Sequence, residues 1–325
     1  MKMTDFEFQI ENFMIYCSSK NLSKKTMKAY EQTLKLFGSY MQEKFSVEEV
    51  EKIQTGHIRQ YIKYLRERGK YTTTSNQKSI EINKPHNRKD YKKEISDSTI
   101  NNYIRNIKVF FNWLYEENEI RKNPTEKIQK IKTKRKMKET ISEEAFKALL
   151  RTFDTTTFHG YRNHIITKLL LDSGMRIGEC LSLTVENIDI KNKVILVENT
   201  KGKNQRYVYF SLRMGENLRR WMQYKDRYVE TNFLFPTNKG TQLTINSYET
   251  QLRKAGEKID IKIHPHQLRN NFSKYYLLNG GDFFTLSRIL GHSSVKVTEE
   301  AYMDLTPEEI NKKYQKHSPL NKWRL

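Results

Sequence analysis

The sequence holds two cysteines in 325 residues, Cys17 and Cys180, and neither stands in a CxxC pair. That excludes a disulfide scaffold and a four-cysteine zinc site, and it suits a reducing compartment. No apolar stretch approaches the roughly 18 uninterrupted residues that a membrane span needs. The opening MKMTDFEFQI has acidic residues early and no apolar run, so it does not read as a secretory signal. There is no internal repeat. The phosphate-loop pattern GxxxxGK followed by Ser or Thr is missing, which excludes that kind of nucleotide site. Negative charge is the minority sign: 38 Asp and Glu face 59 Lys and Arg, a formal net charge of +21.

What remains is a chain long enough for two domains, each with its own core. Hydrophobic residues make up 36% and aromatics 12%, which is folding composition rather than that of a disordered basic tail. A pI near 9.7 and a charge well beyond what solubility needs favour a polyanionic partner, since Lys and Arg neutralise phosphates and release counterions. The plainer reading is a merely soluble basic protein. A nucleic-acid partner, no membrane and a cytoplasmic, nucleoid-associated location are the expectations.

Residues 5 to 66 read as helical. DFEFQIENFMIYC puts Phe6, Ile10, Phe13 and Tyr16 near one side. Ser23 is placed to cap a helix with Met27, Tyr30, Leu34 and Phe37 at spacings of three and four. Two short helices follow, broken near Thr55 and Gly56. Residues 70 to 95 are polar, basic and poor in large apolar groups, so they read as a flexible insertion or an exposed hairpin. A solvated loop is the plain reading there, and a loop lying along phosphates is the other. SDSTINNYIRNIKVFFNWLYEENEI returns to an amphipathic helix with Ile104, Ile107, Phe110, Phe111 and Leu114 toward a core. Pro124 interrupts that periodicity. Lys130, Lys132, Lys134, Arg135, Lys136 and Lys138 then form a basic run that either follows a DNA backbone or is a solvated linker.

The domain boundary is therefore placed there: a helical domain at 1–132 with the insertion near 70–95, a basic linker at 133–140, and a second domain at 141–325. In the second domain Ser142 caps a helix with Glu143 and Glu144 in its first turn. A helix of about 160 to 173 ends at Gly174, and another begins near Ile177. DIKNKVILVENTKGKNQRYVYFS reads as two strands joined by TKGKN. In LTPEEINKKYQKH, Thr306 is a cap, Pro307 lies in the first turn and Glu309 comes three later, which marks a helix near 307–316. The expected fold is mostly α, a helical N-terminal domain plus a mixed α/β C-terminal domain with a small antiparallel sheet.

Four polar stretches could carry chemistry. In LDSGMRIGECLSL, Arg176 follows a helix-ending glycine, and its fork can grip two oxygens of one phosphate; a local salt bridge to Glu179 is the plain alternative. In NTKGKNQR, a tight turn presents Lys201, Lys203 and Arg206 to a phosphate, or simply to water. In KIHPHQLRNNFSKYYLL, His266 and Arg269 lie three apart on one helix face, with Phe272, Tyr275 and Tyr276 for packing. His264 and His266 invite a metal, but no third ligand is evident. In LGHSSVKVTEEAYMDL, Gly291 can end a helix and aim His292 inward, and Tyr302 falls in a short helix ten residues after that histidine.

A tyrosine is a poor nucleophile unless assisted. It suits the formation of a covalent phosphodiester whose energy is returned to an attacking hydroxyl, without ATP. Arginines would neutralise the growing charge on the phosphorane, and a general acid would protonate the departing 5′ oxygen.

The ordered segments SGMRIGECLSL, TKGKNQRYVYF, HPHQLRNNFSKYYLLNGGDFFTLSRILGHSS and TEEAYMDLT, across residues 173 to 306, resemble those of the tyrosine recombinases, the phage integrase family. STINNYIRNIKVFFNWLYEENEIRKNP resembles the family's helical core-binding domain. The resemblance implies two domains forming a clamp on DNA. Its catalytic set would be Arg176, Lys201, His266, Arg269, His292 and Tyr302. Lys201 would be the general acid and the two arginines the phosphate clamp. Tyr302 would be the nucleophile, leaving a 3′-phosphotyrosyl link and a free 5′ hydroxyl. DNA-backbone candidates are Lys130, Lys132, Lys134, Arg135, Lys136, Lys138, Lys203 and Arg206. No cofactor or metal is implied.

There are departures. Asn270 follows Arg269 where many members have histidine, and the step from His292 to Tyr302 is one residue longer than is frequent. No separate arm-binding domain is expected, as in the simple members. The implied partners are duplex core sites with inverted repeats, a homotetramer on synapsed DNA from a free monomer, and an accessory directionality factor. The C-terminal helix would dock on a neighbouring protomer or pack on its own domain. The implied job is recombination for a mobile element. The alternatives are Xer-like resolution of chromosome or plasmid dimers, a DNA-binding protein without strand exchange, and a topoisomerase-like relaxing enzyme.

Overall fold

The computed structural model describes residues 3–74, 81–133, 140–198, 205–291 and 306–317. It separates the chain into two compact units, Met1–Arg135 and Lys136–Leu325. Lys134, Arg135, Lys136, Lys138, Lys201, Lys203, His292 and Tyr302 lie outside the described residues.

The first unit is built on α1 (Asp5–Ser19), α2 (Lys24–Phe45), α3 (Thr55–Arg68) and α4 (Asp97–Glu116). Ser23 caps α2 by accepting the Thr26 N–H at 3.2 Å, which satisfies a donor the helix itself leaves open. The apolar stripes meet in one core. Phe6, Ile10, Phe13, Leu34, Phe37, Ile104, Ile107, Phe110, Phe111 and Leu114 are all buried in it. Its aromatics pack edge to face, Phe13 on Phe110 at 5.4 Å and Phe37 on Tyr61 at 5.0 Å between centroids. The two short helices expected around Thr55 and Gly56 are instead a single 3-10 turn, Val50–Lys52, and the continuous α3. Thr55 opens that helix rather than breaking one, because Gln54 is extended and donates its N–H to His57 Nδ1 at 3.3 Å.

The segment 70–95 is not a loop free in solvent at its base. Lys70 donates its N–H to the Lys93 carbonyl at 2.8 Å and accepts from Lys92 N–H at 3.1 Å. The Arg88 guanidinium stacks on the Tyr71 ring at 4.3 Å, a cation–π contact. Gly69 makes this closure feasible. Its φ is +75°, and a Cβ there would lie 2.5 Å from the Lys92 carbonyl oxygen.

The second unit is arranged around α6 (Phe158–Ser173). It packs against α8 (Leu212–Asp226), α9 (Ile245–Glu257) and α10 (Pro265–Leu278). α5 (Glu143–Arg151), the five-residue α7 (Ile177–Leu181) and α11 (Phe283–Leu290) complete the body. Ile165, Ile166, Leu169 and Leu170 of α6 are fully buried. Trp221 of α8 joins them while donating its indole N–H to the Leu234 carbonyl at 2.8 Å. The sheet has three antiparallel strands in the order β1 (Ile188–Asp189), β2 (Val194–Val197), β3 (Arg206–Tyr209). Ile195 faces Val208 across the β2–β3 pair, both fully buried, and Tyr207 and Tyr209 point to the exposed face. Two of these strands are expected from the sequence. β1 is not, because two residues are too few to show an alternation.

The last described element is α12 (Pro307–His317). Thr306 and Glu309 form the expected reciprocal cap, with Thr306 N–H to Glu309 Oε2 at 2.9 Å and Glu309 N–H to Thr306 Oγ1 at 3.3 Å. Glu309 also pairs with Lys274 of α10 at 2.7 Å, while Ile310 and Tyr314 are exposed. Among the described residues no helix is long and apolar enough to cross a membrane.

Candidate active site

α6 stops at Gly174, whose φ of +65° and ψ of 13° end the helix in the left-handed region. The Phe272 ring lies where a Cβ would be, its nearest atom 2.2 Å away. This sharp exit turns the chain so that Arg176 sits directly before α7. Its side chain is 36% exposed, so its guanidinium is open to a ligand on one side. On the other side it is tied to Glu179, three residues on. Arg176 Nη1 donates to Glu179 Oε1 at 3.0 Å, and the Arg176 backbone N–H donates to Oε2 at 2.8 Å. The salt bridge weighed as the plain reading of Arg176 therefore exists, and it leaves the guanidinium accessible.

Arg269 comes from α10 and is buried. Its Nη1 donates to the Gly174 carbonyl at 2.6 Å and its Nη2 to the Leu290 carbonyl at 2.7 Å. One side chain thus bridges the end of α6 and the end of α11. Both acceptors lie at helix C-termini, where carbonyls lack partners and the helix dipole is negative. Burial first, then the charges of Arg176 and Arg206, push its pKa down to about 9, with Glu179 acting the other way. The site is therefore short of negative charge.

Arg206, expected on the hairpin turn facing a phosphate, is instead the first residue of β3 and points inward. Its Nη1 and Nη2 donate to Glu179 Oε1 and Oε2 at 2.8 and 2.7 Å, and its Nε donates to the Ile289 carbonyl at 3.0 Å. Glu179 is consequently the anion of the cluster. Burial works against its charge, but the bonds from Arg206 and from Arg176 outweigh it and hold the carboxyl below its usual range. Three guanidiniums against one carboxylate leave two positive charges in excess. A doubly negative phosphorane would match that surplus.

His266 lies on the first turn of α10 and is exposed, while Arg269 on the same helix is buried. His264 is the helix cap, its Nδ1 accepting the Gln267 N–H at 3.2 Å; this occupies the second histidine of the metal reading. Gly291 closes α11 in the left-handed region at φ +62° and delivers the chain to residue 292. Lys130 and Lys132 are exposed in the first unit. In the sequence, Glu179 is legible only as a partner of Arg176, Arg206 only as a phosphate-facing residue and His264 only as a metal candidate. That Glu179 is shared by both arginines and that His264 caps α10 is not anticipated there. Only Glu179 leaves a signal, an acidic residue three after a helix start, which is the reciprocal-cap spacing.

Comparisons with known proteins bear on the family and the fold. The model of the phage integrase family matches residues 125–309, and that of the phage integrase N-terminal SAM-like domain matches residues 10–84. The tyrosine recombinase XerC of Oceanobacillus iheyensis is 24% identical, over 98% of this chain and 98% of its own. XerC of Thermodesulfovibrio yellowstonii is 27% identical over 98% and 99%. Among solved structures, the Tn1549 transposon integrase in complex with transposon right end DNA shares the fold with a TM-score of 0.73 at 18% identity, over 97% of this chain and 99% of that one. The XerA recombinase does so with a TM-score of 0.51 at 23% identity, over 97% and 99%. With more than half its length under one family model, this chain belongs to the phage integrase family, the tyrosine recombinases that cut and rejoin DNA strands.

Proposed function

We propose that the chain is a site-specific recombinase that joins and releases the ends of a mobile element. Arg176 and Arg269 hold the scissile phosphate, Lys201 protonates the leaving 5′ oxygen, and His266 and His292 hydrogen-bond the phosphate and manage the tyrosine proton. Tyr302 attacks and carries the 3′-phosphate until a second 5′ hydroxyl displaces it. The observation that carries this reading is the arginine cluster around Glu179, in which Arg269 is buried, Arg206 is largely shielded, Arg176 is partly exposed and two positive charges are in surplus. Neither a packing role nor solubility calls for such a cluster.

The partners are duplex sites with inverted repeats and three further copies of the chain. The exposed Ile310 and Tyr314 of α12 support docking on a neighbouring protomer, while the Lys274–Glu309 pair ties the start of that helix to its own domain. The fold likeness to the Tn1549 transposon integrase supports the mobile-element role. A second reading, dimer resolution of the Xer kind, is favoured by XerC relatives of matching length.

Cells carrying the intact gene are expected to yield a circular junction product from outward-facing primers on the flanking DNA. That product disappears in a Tyr302→Phe strain. Chromosome dimers in the deletion strain, with no circular junction, would move the assignment to the second reading. Neither outcome, with DNA binding retained, would leave a binding protein without exchange activity.

A further inference from the structure

We infer that Arg206 is a positioning residue for this site: through one guanidinium it fixes the phosphate-facing Arg176 relative to the turn that leads into His292. This rests on the reading that Arg176 faces the scissile phosphate. Three lines of chain meet at Arg206. It lies five residues after Lys201 in the chain, and it is held in register by pairing with Val197. Its paired Nη atoms take both oxygens of Glu179, the parallel two-bond geometry that fixes a carboxylate's direction as well as its distance. The same two oxygens accept from Arg176 Nη1 and from the Arg176 backbone, so the direction of Glu179 sets that of Arg176. Its Nε takes the Ile289 carbonyl, two residues before Gly291.

The turn itself is shaped around this side chain. A Cβ on Gly291 would meet Arg206 Cδ at 2.8 Å and Nε at 2.9 Å, and the φ of +62° already calls for glycine. The Arg206 side chain is 11% exposed, with donors on both edges of its fork committed to protein oxygens. Three of its five N–H donors are thus spent on Glu179 and the Ile289 carbonyl, the geometry of a side chain that positions its neighbours. Lysine cannot substitute, since one ammonium cannot span two carboxylate oxygens and a carbonyl in the same plane.

The test uses the full-length chain as Arg206→Lys, Arg206→Gln and Gly291→Ala. The last keeps every charge and presses on Arg206 from the opposite side. In hydrogen exchange of the free protein, amides of both 177–181 and 287–291 are expected to exchange roughly ten-fold faster or more in all three variants, with α6 unchanged. Loosening confined to 206–209 would overturn the inference, because a merely local packing role predicts that pattern. On a nicked duplex made from the DNA flanking the gene, single-turnover cleavage at saturating protein is expected to fall on the order of 100-fold, as for small misplacements of a reacting group. DNA affinity should stay within about three-fold and the salt slope should not change. Weaker binding with a slope lower by about one and an unchanged saturated rate would make Arg206 a phosphate contact instead. If the unaltered chain itself forms no adduct, the reading of Arg176 fails, and the exchange result still decides whether Arg206 couples the two segments. Arg206→Gln combined with Glu179→Gln should cleave no more slowly than either alone, whereas additive losses would contradict a shared path.

Discussion

Gly174 does two jobs that a side chain would prevent. Its backbone takes a left-handed turn, and its carbonyl accepts from Arg269 at 2.6 Å while the Phe272 ring fills the place of a Cβ. Gly174→Ala is therefore expected to destabilise the second unit by about 2 kcal/mol or more. That corresponds to roughly 4–8 °C in its melting temperature for a unit of this size, measurable by calorimetry. A loss under one degree would mean that the turn is not under this constraint. Glu179 gives a pH prediction of fixed sign. Its carboxyl is held below the usual range in the fold, so its contribution is fully present above the unfolded-state pKa and is lost as pH falls through the folded value. The stability gap between the unaltered chain and Glu179→Gln should be constant above about pH 5 and shrink below about pH 4. A gap that widens on acidification would contradict it. At this scale the sequence was partly legible. Arg176, His266 and Arg269 stand out by spacing and by family pattern. The bond from Arg206 to Glu179 joins residues 27 apart across a strand and a short helix, and no local spacing reports such a contact.

Among the elements, helices with a cap and a clean apolar stripe were readable, and those without were not. α4 carries its buried face as the 3–4 spacing indicates, and α12 begins at its reciprocal cap. β1 and the 3-10 turn at Val50–Lys52 are set by tertiary contacts, the first by pairing Ile188 with Ile195. For the segment 70–95, the pairing of Lys70 with Lys92 and Lys93 fits the exposed hairpin of the two readings, and composition could not choose between them because the pairing uses only backbone atoms. The attachment of α12 gives a test at this scale. Lys274 and Glu309 are both largely shielded, so breaking the pair should cost about 1 kcal/mol. Lys274→Ala is thus expected to speed amide exchange in α12 by roughly five-fold. No change would mean that the ion pair does not hold the helix on its own domain.

Over the whole molecule, a net charge of +21 was the first pointer to DNA, and it sets an ionic-strength prediction. Affinity for duplex should fall steeply with salt, and Lys130→Gln with Lys132→Gln should lower the log–log slope by roughly two. An unchanged slope would make that run a solvated linker. The identity of the nucleophile is the claim on which the account turns. The most direct measurement is digestion and mass spectrometry of the covalent adduct trapped on a nicked duplex of the flanking DNA. The account predicts a nucleotide on the peptide containing Tyr302 and no adduct from Tyr302→Phe; an adduct on another tyrosine, or one that survives that substitution, would contradict it.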